Sequence, residues 1–579
     1  MTENEYKQMP NSQTSKELQH VNNSYAHHSS KDPLLWVTIG DRLKQIAQTY
    51  PDNEALVNVW KNERYTYQEF YAICKRAAKG FTQLGIKKGD HVGIWATNQT
   101  EWVITQFATS MIGAILVTIN PSLREHELEY VLKDSECQTL ILMQEYKTSK
   151  YLDMFYHVFP EIKQQKPGYL HSTKFPHLKN VILLSSENKP GMYTFIDILN
   201  RETEISEECL EQRMASLDPD DIINIQYTSG TTGFPKGACL THHNIVNNAY
   251  FVGKNLGFSE KDRLCIPVPF YHCFGMVISN MVCVNYGATM VLPAEIFNAL
   301  ATMKAASQEQ CTALHGVPTM FIAQLEHPDF HTFDFSHIRT GIIAGAPCPI
   351  EIMNKIRNLM GIEDITICYG LTEASPVTNQ TKKDDPVHLR VETVGLPLQH
   401  TEIKIINPET GKVVPAGKPG EICVRGFQLM KQYYNKPKET KKTIDDNGWL
   451  HTGDLGTMND QGYCRITGRL KDMIIRGGEN IYPREIEEYL YKHPDIINVS
   501  VFGVPDEKYG EEIAVCIQVQ KGTIISVEDI QLYCNGKISH QKIPKYIKFV
   551  EEFPMTVTGK IQKFKLRELY AEELGLNDH

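Results

Sequence analysis

Between two apolar stretches the chain carries the run Tyr227-Thr228-Ser229-Gly230-Thr231-Thr232-Gly233-Phe234-Pro235-Lys236-Gly237. Its glycines let the backbone approach an anion closely, and its hydroxyl and backbone N–H groups are hydrogen-bond donors. Lys236 adds a mobile positive charge. The run is not a Walker loop, because that pattern requires Gly-Lys followed by Ser or Thr, whereas Lys236 follows Pro235. It therefore indicates a phosphate-binding loop, with a flexible surface turn as the alternative for such a cluster taken alone.

Further motifs follow in a fixed order along the chain. They are Tyr369-Gly370-Leu371-Thr372-Glu373, Thr452-Gly453-Asp454, Gly468-Arg469-Leu470-Lys471-Asp472 and Thr558-Gly559-Lys560. In this order they resemble the adenylate-forming acyl-CoA synthetases, which are related to luciferases and to the adenylation domains of peptide synthetases. Residues 476–483 and 559–564 resemble the medium-chain fatty acyl-CoA synthetase branch of that superfamily. The resemblance covers about residues 31–571.

Length and composition describe a large globular protein. A chain of 579 residues predicts several domains, each able to bury a core. The net charge of -10 argues against nucleic acid as a general partner. The 14 cysteines include no CxxC pair and no paired zinc spacing, which indicates reduced thiols in a cytoplasmic enzyme. Two charge-free stretches, residues 102–123 and 264–294, are interpreted as buried helices and strands rather than membrane spans.

From about residue 34, helical patterns alternate with short apolar runs, which predicts an α/β fold of mainly parallel sheets covered by helices. Examples of these runs are residues 91–96, 139–143 and 181–184. Residues 393–468 are rich in Gly, Pro and alternating segments and predict a smaller β-rich subdomain.

The domain boundaries follow from these patterns and from the resemblance. The polar residues 1–30 lack the features of a signal or transit peptide and are predicted to be a disordered tail. Residues 31–468 are predicted to form a large N-terminal adenylation domain, and residues 469–473 a hinge. Residues 474–579 are predicted to form a small, mobile C-terminal domain of mixed α and β structure.

The resemblance implies a reaction in two halves. A carboxylate attacks the α-phosphate of ATP to give acyl-AMP and pyrophosphate, and the thiol of coenzyme A then displaces AMP. Because the first half brings negative charges together, cations and hydrogen-bond donors must neutralise the phosphates. Thr372 can donate to the α-phosphate, whereas Glu373, together with Thr228, is expected to bind Mg²⁺, a hard cation that prefers oxygen. Lys560 is expected to bridge the carboxylate and the α-phosphate.

The same resemblance implies the remaining nucleotide contacts. Asp454 is expected to accept hydrogen bonds from the ribose hydroxyls, Arg469 to contact the ribose, and Tyr369 to stack on adenine. The whole expected ATP and AMP site comprises Thr228, Ser229, Gly230, Thr231, Thr232, Gly233, Lys236, Gly345, Ala346, Pro347, Tyr369, Gly370, Thr372, Asp454, Arg469 and Lys560. Taken singly, such residues also suit turns, helix starts and core positions.

The second half-reaction requires Lys560 to leave the site, so the small domain must move. Lys471 occupies the expected pivot, where changed backbone dihedrals would swing that domain. Gly477 and Gly478 would then let the pantetheine arm of coenzyme A pass close to the backbone, and a hairpin turn is the alternative reading of the pair.

The acyl pocket is expected around His272, which is also a candidate catalytic group near the acid carboxylate or a plain packed histidine. Further expected lining residues are Val317, Met320 and Gly341, whose small or flexible side chains suit an aliphatic chain. Together with these residues, the resemblance implies an ATP- and Mg²⁺-dependent fatty acid–CoA ligase with a substrate of medium chain length.

Three alternatives to this reading stay open. They are a ligase for aryl acids such as coumarate or benzoate, an acyl-AMP ligase that loads a carrier protein, and a non-catalytic nucleotide- or acyl-binding regulator. The expected partners are small molecules. Peripheral contact with a membrane and the oligomeric state are left open by the sequence.

Overall fold

A computed structural model describes residues 23–228, 235–346, 348–556 and 561–576. Within these residues the chain forms four sheets covered by helices. Three sheets lie before residue 470 and the fourth lies after it.

The first sheet has eight strands. In order across the sheet they are Gln432–Tyr433, Lys236–Thr241, Ile222–Thr228, Ile115–Ile119, His91–Trp95, Thr139–Met143, Asn180–Leu184 and Tyr193–Thr194. Neighbours are parallel from Ile222–Thr228 onward and antiparallel before it. The strands predicted at residues 91–96, 139–143 and 181–184 are thereby confirmed.

The second sheet has nine strands and a parallel centre. In order they are Leu396–Pro397, Val377–Gln380, Asp364–Gly370, Thr340–Ile343, Ala313–Gly316, Arg263–Cys265, Thr289–Leu292, Glu54–Asn58 and Glu63–Thr66. Neighbours are parallel from Asp364–Gly370 to Glu54–Asn58. These strands are buried on both faces, as parallel strands under helices usually are.

Helices follow most of these strands, which confirms the predicted α/β class. Those before residue 470 are Ile39–Thr49, Tyr67–Gln83, Thr100–Ile112, Glu125–Asp134, Tyr151–Val158, Phe195–Asn200, Glu207–Ala215, His242–Asn255, Cys273–Gly275, Val282–Tyr286, Ala299–Gln308, Pro318–Leu325, Ile350–Leu359, Val387–Glu392 and Pro437–Thr443. Tyr67–Gln83 shows how the sequence fixes one of them. Thr66 and Glu69 form a capping box at its start, and Phe70, Cys74 and Phe81 are buried on one face.

The third sheet is antiparallel and confirms the predicted β-rich subdomain. Its strands are Tyr25–His28, Thr401–Ile406, Gly420–Gly426, Leu450–Met458 and Cys464–Arg469. The prediction of a disordered tail up to residue 30 is wrong from residue 23 onward, because Tyr25–His28 pairs with Thr401–Ile406. The Tyr25 hydroxyl also donates to Glu402 at 2.7 Å. Residues 1–22 lie outside the described residues.

A 3₁₀ turn, Leu470–Asp472, lies at the predicted hinge and precedes a compact unit of mixed α and β structure. Its strands are Ile474–Arg476, Glu479–Ile481, Ile496–Asp506, Gly510–Val519 and Tyr546–Phe549, and its helices are Pro483–Leu490, Val527–Cys534 and Lys563–Glu573. Ile486, Val501 and Ile513 belong to a buried cluster of this unit alone. The mobility of the unit and the boundaries at residues 469–473 stay predictions.

The two charge-free stretches are buried, as predicted. Residues 102–123 include most of the helix Thr100–Ile112 and the strand Ile115–Ile119. Residues 264–294 include a π turn, Met276–Met281, every residue of which is buried. None of the helices that the structure describes is both long enough and apolar enough to cross a membrane.

Candidate nucleotide-binding site

The predicted nucleotide residues collect at the carboxyl ends of two adjacent parallel strands in the second sheet. Gly345 and Ala346 follow Thr340–Ile343, while Gly370 ends Asp364–Gly370 and Thr372 begins the next turn. Gly345 has a φ of +86°, a backbone conformation that favours glycine. Carboxyl ends of parallel strands form the crevices in which ligands bind in such sheets.

Asp454 is buried beside the end of the strand Asp364–Gly370. The Tyr369 hydroxyl donates to its Oδ2 at 2.8 Å, and Arg469 Nε lies 3.0 Å from its Oδ1. Arg469 is the cross-strand neighbour of Asp454, so sheet pairing fixes this contact. The Asp454 carboxylate raises the pKa of Arg469, whereas burial and then Asp454 raise the pKa of Tyr369. A neutral phenol therefore donates to the carboxylate, and a guanidinium forms an ion pair with it.

Glu373 is joined to the first sheet through Tyr433. The Tyr433 hydroxyl donates to Glu373 Oε1 at 2.6 Å, and Lys236 Nζ lies 4.4 Å from the centroid of the Tyr433 ring. Burial, with a further contribution from Glu373, raises the pKa of Tyr433, so this phenol stays a donor. Tyr433 was not predicted from the sequence, because it lies in a two-residue strand distant from every motif. The only sequence feature that marks it is an aromatic residue beside polar ones.

The strands around the predicted phosphate loop hold the ends of that loop together. Thr228 and Lys236 are partners in the antiparallel pair of Ile222–Thr228 and Lys236–Thr241, and the Thr228 hydroxyl donates to the Lys236 carbonyl at 3.3 Å. The predicted site residues that lie outside the described residues are Ser229, Gly230, Thr231, Thr232, Gly233, Pro347 and Lys560. Their roles stay predictions.

A partly buried carboxylate, that of Asp134, contacts the base of this hairpin. Asp134 accepts a hydrogen bond from the Tyr227 hydroxyl at 2.9 Å and lies 2.6 Å from Lys436 Nζ. Tyr130, from the same helix as Asp134, donates to the Pro235 carbonyl at 3.0 Å. Sequence reasoning also missed Asp134 and Lys436, since neither belongs to a motif.

The segments predicted to line an acyl pocket lie deeper in the protein. His272 precedes the short helix Cys273–Gly275, and its ring centroid lies 4.2 Å from that of Tyr271. Val317 and Met320 are buried. Gly341 packs so closely that an added Cβ would lie 2.0 Å from the Leu314 carbonyl oxygen, so the neighbouring strand requires glycine there.

His315 is a further polar group beside these segments. It is fully buried, and burial lowers its pKa to about 3, so the ring is neutral. Its Nδ1 lies 3.1 Å from the Ser279 hydroxyl. The opposite nitrogen, Nε2, has no hydrogen-bond partner within the described part of the chain.

The predicted hinge and coenzyme A residues have defined local structure. Lys471 lies in the 3₁₀ turn Leu470–Asp472, where burial and then Arg469 lower its pKa. Gly477 and Gly478, with φ of +60° and +86°, form the turn between Ile474–Arg476 and Glu479–Ile481. The interpretation of the glycine pair as a hairpin turn is therefore confirmed. The role of Gly477 and Gly478 toward coenzyme A stays a prediction.

Comparisons with protein families and curated proteins identify relatives of the chain. The model described as AMP-binding enzyme matches residues 43–434, and that described as AMP-binding enzyme C-terminal domain matches residues 485–560. The chain is 51% identical over 544 residues to the acyl-CoA synthetase YngI of Bacillus subtilis (strain 168), covering 94% of this chain and 99% of that protein. It is 43% identical over 558 residues to the mitochondrial medium-chain acyl-CoA ligase ACSF2 of Homo sapiens, covering 96% and 91%.

Solved structures share the fold over almost the whole chain. The anthranilate CoA ligase AuaEII in complex with anthranoyl-AMP superposes with a TM-score of 0.82 at 27% identity, covering 94% of this chain and 99% of that one. ATP-bound MatB from Rhodopseudomonas palustris superposes with a TM-score of 0.80 at 27% identity, covering 93% and 100%.

Replacing Tyr433 tests the link between Glu373 and the hairpin. We expect Tyr433→Phe to lower kcat/KM for ATP about tenfold, because the variant loses a hydrogen bond to a charged group. The measurement is acid-dependent pyrophosphate release at varied ATP. Tyr434→Phe is the matched control, since that neighbouring hydroxyl donates to Glu136 instead. Equal kcat/KM values for the two variants would remove Tyr433 from the site.

Proposed function

Because this chain belongs to the AMP-binding enzyme family, we propose that it activates a medium-chain fatty acid with ATP and Mg²⁺ and transfers the acyl group to coenzyme A. The chain is an AMP-forming acyl-CoA ligase. The acyl chain length, the metal, the thiol acceptor and the roles of individual residues belong to the proposal.

The observation that carries the proposal is the convergence of distant segments on one crevice. Asp454 accepts a hydrogen bond from Tyr369 and forms an ion pair with Arg469, and Tyr433 contacts both Glu373 and Lys236. Such a set offers a carboxylate to a ribose, and it offers cations and donors to phosphates. ATP bound to the structural relative MatB supports the assignment of the crevice to ATP.

The first half-reaction requires charge neutralisation more than covalent help from the protein. Thr372 donates to the α-phosphate, and Lys236 with the hairpin loop binds the β- and γ-phosphates. Lys560 enters with the small domain and attracts the acid carboxylate toward the α-phosphate. Asp454 holds the ribose, so the α-phosphate lies in line with the incoming oxygen.

The oxygen atoms at the mouth of the crevice suit Mg²⁺. Glu373 is partly exposed and offers a carboxylate, and Thr228, whose backbone partner is Lys236, offers a hydroxyl. When bound, Mg²⁺ neutralises phosphate charge in the first half-reaction. Tyr433 orients the Glu373 carboxylate by donating to one of its oxygens.

The second half-reaction requires the small domain to rotate about the hinge. A change in backbone dihedrals at Lys471 withdraws Lys560 and brings the turn at Gly477 and Gly478 toward the crevice. These glycines lack side chains, so the pantetheine thiol can approach the acyl carbonyl and displace AMP. We also propose that the enzyme works in the cytoplasm.

The names of two relatives indicate different acid substrates. The medium-chain ligase of Homo sapiens is 43% identical to the chain, whereas the anthranilate ligase is 27% identical. The higher identity and the buried aliphatic residues Val317 and Met320 favour a flexible alkyl chain over an aromatic ring.

An acid panel tests the proposed substrate. Purified protein with ATP, Mg²⁺ and coenzyme A is expected to form AMP fastest with acids between hexanoate and dodecanoate, in a series from acetate to stearate with benzoate and 4-coumarate added. Turnover with aromatic acids alone would replace the proposal with the aryl-acid ligase. Pyrophosphate release without thioester would indicate a carrier-protein acceptor, and no turnover with any acid would favour a binding protein.

A second test separates the two half-reactions. Lys560→Ala is expected to slow acid-dependent pyrophosphate release about a hundredfold, because the bridging cation is lost, while thioester formation from supplied acyl-AMP continues. Lys565→Ala is the matched control, since Lys565 is an exposed lysine on the nearby helix Lys563–Glu573. Equal losses in both half-reactions for Lys560→Ala would contradict its assigned role.

A further inference from the structure

Three side chains of metal-binding type meet on the third sheet, outside the set of predicted site residues. Glu421, Cys423 and His451 each offer one ligand atom, and these atoms all lie within 4.8 Å of one another. Within the described part of the chain they form the only such group of three or more. We call Glu421, Cys423 and His451 the sheet cluster.

Strand geometry brings the sheet cluster together. Glu421 and Cys423 are two residues apart on Gly420–Gly426, so their side chains leave the same face of the strand. His451 lies directly opposite Cys423 on Leu450–Met458. The pairing register shifts between Glu421 and Cys423, and the additional residues lie on Leu450–Met458 between His451 and Leu455. Such irregularities commonly redirect side chains next to functional sites.

The distances suit one shared ion. His451 Nδ1 lies 3.0 Å from Glu421 Oε2 and 3.7 Å from Cys423 Sγ. On the other side of the ring, His451 Nε2 lies 3.8 Å from Asp445 Oδ2. A carboxylate facing the far nitrogen is the usual partner of a metal-bound histidine, because it orients the ring and raises its basicity.

The surrounding charges favour a cation. Glu421 and Asp445 bring two carboxylates to the cluster, whereas Lys404, the cross-strand neighbour of Cys423, places its ammonium group over the Trp449 ring. Lys404 Nζ lies 4.2 Å from the centroid of the Trp449 ring, and the Arg425 guanidinium lies 4.6 Å from the same centroid. Arg425 is also paired with Glu402 at 2.9 Å. The cluster is reachable, because about a third of the His451 side chain is exposed, at 31%.

We propose that Glu421, Cys423 and His451 bind one zinc-type divalent cation, with Asp445 orienting the imidazole. One sulfur, one nitrogen and one oxygen ligand suit Zn²⁺, whereas Mg²⁺ prefers oxygen alone. Binding forms a bond between the metal and the Cys423 sulfur and releases the thiol proton to solvent. Water completes the coordination on the exposed side.

An ion at this cluster would also fix the turn that precedes Asp454. Glu421 uses its other carboxylate oxygen, Oε1, to accept a hydrogen bond from the Gly453 N–H at 3.1 Å. The Thr452 hydroxyl donates to the Ile422 carbonyl at 2.7 Å, so the same strand holds both residues before Asp454. This consequence rests on the proposed function, whereas the binding of the ion does not.

The test uses full-length protein without an affinity tag, first stripped with a chelator and then titrated with Zn²⁺ against a chromophoric chelator, with no nucleotide present. One equivalent of tight binding is expected. Titration with Co²⁺ is expected to give the near-ultraviolet band of a thiolate-to-cobalt charge transfer. Neither readout depends on catalysis. Failure of the metal site can therefore be distinguished from failure of the proposed function in the acid panel.

Variants assign the ion to the sheet cluster. Cys423→Ser is expected to abolish the cobalt band, and Asp445→Asn to weaken Zn²⁺ binding about tenfold through the imidazole. Cys464→Ser is the matched control, because Cys464 is a buried thiol of the same sheet outside the cluster. His451→Asn changes a partly exposed ligand, so it should lose the tight site while keeping the thermal unfolding midpoint of the metal-free protein.

Two results would overturn the proposal. One is Zn²⁺ binding of equal strength in the parent, Cys423→Ser and His451→Asn proteins, which would assign the metal to other surface groups. The other is the absence of a stoichiometric Zn²⁺ site in the parent protein, or a loss of that site in Cys464→Ser as large as the loss in Cys423→Ser.

Discussion

The buried carboxylate of Asp454 is the point at which three parts of the chain meet. Tyr369 contacts it from the end of a parallel strand, Asp454 itself belongs to the antiparallel third sheet, and Arg469 ends the last strand of that sheet, just before the 3₁₀ turn Leu470–Asp472. A buried carboxylate is costly unless it is hydrogen-bonded and paired, so the three elements are held at contact distance. The same group that would hold the ribose therefore joins the second sheet to the third sheet just before the turn Leu470–Asp472.

Glu373 makes a comparable link on the other side of the crevice. Glu373 accepts a hydrogen bond from the hydroxyl of Tyr433, at the edge of the first sheet, and Lys236 lies over the Tyr433 ring. Apolar burial joins the first and second sheets in one core, whereas the unit after residue 470 has a core of its own. The crevice itself is defined by polar contacts between layers, and this explains why its residues come from segments far apart in sequence.

The sequence predicts strands well where apolar runs are local. The strand Thr139–Met143 coincides with its predicted limits, because its apolar residues are bounded by polar ones on both sides. Tyr25–His28 could not be predicted, since a polar segment becomes a strand only through its distant partner Thr401–Ile406. Tyr433 and the sheet cluster were missed for the same reason, because their contacts arise from cross-strand pairing that no linear spacing records. The motif residues were found through a family resemblance, and their individual roles stay predictions.

The most direct test of the account measures what Asp454 does for the nucleotide. A non-hydrolysable acyl-AMP analogue, octanoyl sulfamoyl adenosine, can be titrated calorimetrically into the parent protein and into Asp454→Asn. We predict that the variant binds the analogue about a hundredfold more weakly, because a neutral amide replaces the charged acceptor of the ribose hydroxyls. Equal affinity of the two proteins for the analogue would contradict the placement of the nucleotide at Asp454.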